Sequence, residues 1–165
     1  MKRRQTGLTL VELMVTLAVA IVILAIGIPA FNSMSARDMS AATVNSLVTA
    51  LQQARMEAIS RGSGISVQAE SGDWAKGWFT CCDAGGQTIR AFGAPRAQVA
   101  VTGVAGGTVI AFGGTGQRTL PDPATGFTTF VVTAYRDSSR TTCVRVTNVI
   151  VTGVGQVRSE NPACP

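Results

Sequence analysis

Residues 8–31 read LTLVELMVTLAVAIVILAIGIPAF, nearly continuous hydrocarbon with no charge between Leu13 and Phe31. About 20 consecutive apolar residues suffice for an α-helix to cross a bilayer. Ahead of the run lie residues 1–7, short, polar and basic, with Lys2, Arg3 and Arg4. Such a cluster holds an N-terminus in the cytoplasm. The pattern therefore predicts a single pass through the inner membrane, with the remainder of the chain outside it. A cleavable secretory signal fits poorly, because the apolar run is too long and Pro29-Ala30-Phe31 is a poor small-residue cleavage site.

Glu12 is the odd residue. A carboxylate near the centre of a membrane helix costs about 2.5–3.5 kcal/mol and needs a partner. One reading is a glutamate that snorkels to the interface. The other is a carboxylate neutralised by the α-amine of a neighbouring subunit, created by cleavage between Gly7 and Leu8. Glu12 would then be the fifth residue of the mature chain. The stretch Gly7-Leu8-Thr9-Leu10-Val11-Glu12-Leu13 resembles the class III signal of type IV prepilins. That resemblance implies that a prepilin peptidase cuts after Gly7 and methylates Leu8. It also implies that Glu12 serves filament assembly and that the partners are other pilins. The family usually carries Phe at the first mature position, where this chain has Leu8. Pro29 stands where many pilins have a helix-bending proline.

Beyond residue 31 the helix is expected to continue to Arg61. Val44, Leu47, Val48, Leu51, Ala54 and Ala58 recur at three- and four-residue spacing and form one apolar stripe. Ala50, Ala54 and Ala58 make a narrow ridge that a sheet can approach, and Arg55–Glu57 falls off that face, where it can pair with neighbours. Gly62 and Gly64 supply a stop. A helix over residues 8–60 is roughly 80 Å long if unbroken, and Pro29 is expected to bend or locally melt it. After Gly64 come short β-rich runs divided by Gly, Pro, Asp and Ser. Strands are expected near 65–68, 78–82, 89–92, 99–101, 109–112, 128–135, 142–152 and 156–158, in one twisted antiparallel sheet or two small ones. The fold class is α+β, a pilin-like long helix packed on a β domain. Its parts are a leader (1–7), a membrane or filament-core helix (8–31), an amphipathic helix (32–62) and a periplasmic or extracellular domain (63–165).

Residues 47–59, LVTALQQARMEAI, resemble the GspH/FimT subfamily, as do Trp74-Ala75-Lys76-Gly77-Trp78-Phe79 followed by Asp83, and Gly155-Gln156-Val157-Arg158. The two tryptophans are expected in the core rather than at a ligand. The subfamily contains minor pilins of type IV pili, some of which help bind DNA in natural transformation, and minor pseudopilins of type II secretion. The first reading makes this chain a pilus subunit near the tip that reaches the cell surface after assembly. The second makes it an aid to protein export.

No enzyme is expected. The chain has no His, which removes the commonest general base and metal ligand. Cys81-Cys82 has no CxxC or His partner, and Gly113-Gly114-Thr115-Gly116 lacks the Lys-Ser/Thr and helix of a phosphate loop. No cofactor, catalytic residue or metal site is predicted. Losing residues 1–7 takes away three of the 14 bases and none of the nine acids, so the net charge falls from +5 to +2. The C-terminal end still gathers Arg136, Arg140, Arg145 and Arg158, and arginine forks suit phosphate. DNA-binding members of the subfamily resemble this end through a Gly-Arg-x-Arg motif. Here Gln156 replaces the first Arg, and Arg158 is the position that carries over. The other reading is ordinary solvated charge. Export favours disulfides. A two-residue turn at Gly153-Val154 would bring Cys143 opposite Cys164, closing a loop of about 20 residues whose bond contributes roughly 3 kcal/mol. Cys81 and Cys82 should point to opposite faces of a strand, and the alternative is that either pairs with Cys143 instead.

Overall fold

The computed structural model describes residues 9–82, 87–103, 107–122, 124 and 126–165. Gly7, Leu8 and Asp83 lie outside them, as does the side chain of Cys82. Among the described residues one α-helix, α1 (Leu10–Arg61), precedes nine strands. Thr9 starts α1, its hydroxyl accepting from the Glu12 amide at 3.2 Å. The helix runs unbroken through Pro29, so the proline does not melt it. Pro29 removes one amide donor, and the Ser33 hydroxyl, one turn on, donates to the Pro29 carbonyl at 3.0 Å. At the other end Gly62 takes a left-handed φ of +63°, and its N–H closes on the carbonyls of Ala58 and Ile59.

The strands are β1 (Ile65–Ala69), β2 (Trp78–Cys82), β3 (Thr88–Phe92), β4 (Val99–Thr102), β5 (Val109–Phe112), β6 (Arg118–Leu120), β7 (Phe127–Tyr135), β8 (Cys143–Thr152) and β9 (Val157–Glu160). They form two antiparallel sheets, ordered β3-β2-β1-β5-β6 and β4-β7-β8-β9. Eight strands match the sequence expectation. β6 was not expected, because Arg118-Thr119-Leu120 is too short and polar to show alternation.

Both sheets meet the C-terminal half of α1. Val44, Leu47, Leu51, Ala54 and Ala58 of the expected stripe are buried, joined by Ala36, Ser40 and Ala50, while Val48 lies at its margin. The alanines allow close approach. Against them pack Ile65 and Val67 of β1, Phe112 of β5, Phe130 and Val132 of β7, and Val149 and Val151 of β8. Trp74 and Trp78 are core residues, as expected. Trp74 meets Phe130 edge-on at 4.7 Å, and its indole N–H donates to the Gly107 carbonyl at 3.0 Å.

The domain has two ends along α1. Arg96 shares a groove with Ser35, Asp38 and Met39, close to where the apolar segment leaves. The Gln98 carbonyl accepts from the Tyr135 amide at 2.9 Å, which puts the β7–β8 loop at this near end. The β5–β6 and β8–β9 turns lie at the far end, against Arg55 and Ile59.

The β8–β9 hairpin corrects one expectation. Its turn is one residue longer than the two at Gly153-Val154. The Thr152 amide donates to the Gln156 carbonyl at 2.9 Å, and Val151 faces Val157. That register sets residue 165, not Cys164, across from Cys143. The disulfide joins Cys143 to Cys164 nonetheless, with Cα atoms 6.0 Å apart. This is possible because β9 ends at Glu160 and the tail is no longer bound to the ladder. Cys81 is buried, its sulfur 3.1 Å from the Gln68 side-chain amide nitrogen that donates to it.

Candidate functional site

Three regions bear on function. The first is the apolar half of α1. Every large hydrophobic side chain from Leu10 to Phe31 that contributes to its surface is more than half exposed, from Val19 at 53% to Leu10 at 74%. None of the most apolar 18-residue window is covered by the rest of the chain, and the helix is long and apolar enough to cross a membrane. Glu12 sits in its first turn, exposed, two residues after the start. Intrachain packing therefore leaves this half of the helix for something else to bury, with one carboxylate in its first turn.

The second region is the far end, where two of the subfamily-like segments meet. Arg55 was expected off the core face, free for neighbours. Instead it is half-buried and clasps two turns. Its Nε donates to the Gly116 carbonyl at 2.9 Å and its guanidinium to the Val154 carbonyl at 3.2 Å. Gly155 makes this possible. It has a φ of +80°, and a Cβ there would sit 2.1 Å from the Gly116 oxygen and 3.0 Å from Arg55 Nε. The helix segment around Arg55 and the C-terminal segment beginning at Gly155 thus belong to one joint. Glu57 pairs with Arg61 one turn on.

The third region is the set of C-terminal arginines, which the fold divides. Arg136 and Arg140 lie in the β7–β8 loop and Arg145 near the start of β8, all at the near end. Gln156 and Arg158 lie on the β8–β9 hairpin at the far end. Arg158 faces Ile150, five residues along β8 from Arg145, a separation of roughly 17 Å along the strand. The alternation of β8 also sets Arg145 and Arg158 on opposite sides of the sheet. Several of these side chains have internal partners. Arg140, in the left-handed region at φ +59°, donates to the carbonyls of Ala97 at 3.1 Å and Val99 at 3.4 Å. Arg145 donates to the Asn161 side chain at 2.9 Å, and Arg158 lies 3.4 Å from Glu160.

Sequence reasoning missed Arg118. It is fully buried. Its guanidinium donates to the Thr128 hydroxyl at 2.9 Å and the Gly126 carbonyl at 3.2 Å, and its amide to the Gly153 carbonyl at 3.0 Å. Burial pushes its pKa below the ordinary value, and Asp122 pulls it back up. The side chain ties β6 of one sheet to β7 of the other. Nothing in the three-residue strand signals that an arginine there points inward.

The family profile of the type II transport protein GspH matches residues 43–150, from the buried stripe of α1 to β8. This chain belongs to the GspH family. It is a GspH/FimT-type minor pilin or pseudopilin, and pilins are structural, non-enzymatic proteins. Two crystal structures of the type IV minor pilin FimU from Pseudomonas aeruginosa, in different space groups, have the same fold. Their TM-scores are 0.61 and 0.58 at 22% identity, covering 76% and 73% of this pilin and 94% and 95% of the FimU chains. No curated protein matches it in sequence. A GspH-family pilin associates with other pilins in a filament, and its apolar helix is consistent with a membrane anchor.

Proposed function

We propose that this pilin is held in the inner membrane by residues 8–31, cut by a prepilin peptidase after Gly7, methylated at Leu8, and built as a minor subunit near the tip of a surface type IV pilus, where it assists assembly. The observation that carries the reading is the wholly exposed apolar half of α1, rigidly continuous with the helix that organises the β domain. Such a helix is stable in a bilayer, and equally stable in a bundle of similar helices, so one segment serves as anchor and as filament core. In the bundle a neighbour's N-terminal ammonium neutralises Glu12, which would otherwise be a buried unpaired charge. The test is deletion of the chain, scored by sheared surface filaments, with complementation by wild type and by Glu12→Ala. Restored piliation by wild type but not Glu12→Ala is expected. Unchanged piliation in the deletion strain would refute it.

The family profile favours a second reading, a minor pseudopilin of type II secretion. The same deletion strain separates the two if export of secreted proteins is measured beside piliation. A DNA-binding role in natural transformation fits a narrow site, the exposed pair Gln156 and Arg158 at the end of the domain away from the anchor. Arg136, Arg140 and Arg145 belong to the other end and are not part of it.

A further inference from the structure

We propose that the near end of the β domain is a collar of arginines that binds the phosphates of anionic lipid headgroups while the chain is anchored. The inference rests on the membrane-anchored reading above. Five arginines contribute. Arg37 lies on α1, Arg96 precedes β4, Arg136 and Arg140 stand in the β7–β8 loop, and Arg145 follows Cys143 on β8. The fold collects them from four separate stretches of chain. Arg96 lines the groove beside Ser35 and Asp38, Arg140 holds the carbonyls of Ala97 and Val99, and Arg145 faces Ala134 across the ladder.

The collar is close to the bilayer. Ala36 is already fully buried by the domain, five residues beyond Phe31, the last residue of the apolar run. Five residues of helix rise about 7.5 Å, within the screening length of about 8 Å at physiological salt. Arg37, Arg96 and Arg136 are exposed. Arg140 commits two of its five N–H donors to backbone carbonyls and keeps the others for a ligand. Among the described residues the acids at this end are Asp38 and Asp137, with Glu70 and Asp73, beside the basic Lys76, in the short turns that follow β1 on the side of Trp78. Asp137 is turned inward on its own loop, accepting from the Ser139 amide at 3.1 Å and from the Ser139 hydroxyl. At the far end the arginines of α1 and of the β8–β9 hairpin hold internal partners, while Arg90 on β3 is exposed. There Arg55 is bound to carbonyls, Arg61 pairs with Glu57, and Arg158 pairs with Glu160. Guanidinium forks match phosphate oxygens. DNA offers the same phosphates, but in the anchored chain this end is the one turned towards the membrane surface.

The test reconstitutes the full chain into nanodiscs of phosphatidylcholine alone, or of equal parts phosphatidylcholine and phosphatidylglycerol, and follows amide hydrogen exchange. Phosphatidylglycerol should slow exchange across residues 96–99 and 136–142, by about fivefold for each arginine engaged. High salt should abolish the slowing. So should the paired substitution Arg96→Gln with Arg136→Gln, which leaves the hydrogen bonds of Arg140 to Ala97 and Val99 and of Arg145 to Asn161 in place. A chain that remains inserted after an alkaline wash yet exchanges equally in both lipids overturns the collar and spares the anchor. A chain released by that wash overturns both. Protection of the same segments by a short random-sequence duplex, with none from phosphatidylglycerol, reassigns the patch to nucleic acid and overturns the lipid proposal.

Discussion

Gly155→Ala is expected to open the far end of the domain. An alanine Cβ would stand 2.1 Å from the Gly116 oxygen, a contact that backbone cannot accept, and the residue would have to keep a φ of +80°. The left-handed conformation alone costs an L-residue roughly 1–2 kcal/mol. Relief of the clash requires the β8–β9 and β5–β6 turns to separate. Separation stretches the two Arg55 bonds, at 2.9 and 3.2 Å. Each is a charge-assisted bond worth about 1.5–3 kcal/mol when buried, and the lower figure applies here because Arg55 is only half-buried. If one of the two is lost, the total comes to about 3 kcal/mol. For a folded unit of about 130 residues each kcal/mol moves the melting temperature by roughly 4 °C, so a fall of about 12 °C is expected.

The assay is thermal unfolding of the full chain in detergent, with Arg55→Met and the double variant alongside. Arg55→Met keeps the aliphatic stem and removes the clasp. Because the two substitutions break one joint, their effects should fall short of additive by about 1 kcal/mol or more. A Gly155→Ala variant within about 0.5 kcal/mol of wild type would falsify the argument, since that is the range of an ordinary surface change. Strict additivity with Arg55→Met would also defeat it, by showing that the glycine and the arginine act separately.

Further outcomes are expected elsewhere in the chain. Mass spectrometry of the filament-incorporated protein should find an N-methylated terminus at Leu8, and any other start rejects cleavage after Gly7. Cys143→Ser, or reductant added to wild type, should lower stability by roughly 3 kcal/mol from the loop freed in the unfolded chain, and non-reducing peptide mapping should recover the Cys143–Cys164 peptide. Arg118→Met leaves the buried Thr128 hydroxyl without its guanidinium donor and should cost about 2 kcal/mol in chemical denaturation. For DNA, Arg158→Gln should weaken binding to random duplex and lower the salt slope by about one unit. Gln156→Arg should strengthen binding. If neither variant differs from wild type in titrations at two salt concentrations, the far-end hairpin does not contact DNA.

The helix, its two halves and eight of nine strands were legible because each rests on a local signal: a long uncharged run, a three-and-four spacing, or short alternating runs between glycines. What was not legible depends on distance across the fold. Arg55 looked like a surface residue because helical spacing reports only the angle around α1. It does not report that two turns from residues 116 and 154 would come within reach of a guanidinium. Arg118 hid in a strand too short to show alternation. The turn after β8 could not be sized from Gly153-Val154 alone, since Gly155 at a left-handed φ allows one more residue. The disulfide nevertheless came out as expected, because a short free tail beyond β9 can absorb a one-residue error in register. The arginines show the opposite case. Closeness in sequence suggested one patch, but the ten-residue strand β8 carries neighbours in sequence to opposite ends of a sheet. The division gives the two ends of the domain different chemistry. The far end is knitted shut by Arg55 through backbone carbonyls, and the near end keeps Arg37, Arg96 and Arg136 exposed beside the apolar half of α1. The same helix α1 joins them. Its buried alanine ridge fixes the domain's position relative to the apolar half, so that a contact made by the collar is carried by a rigid element rather than by a linker.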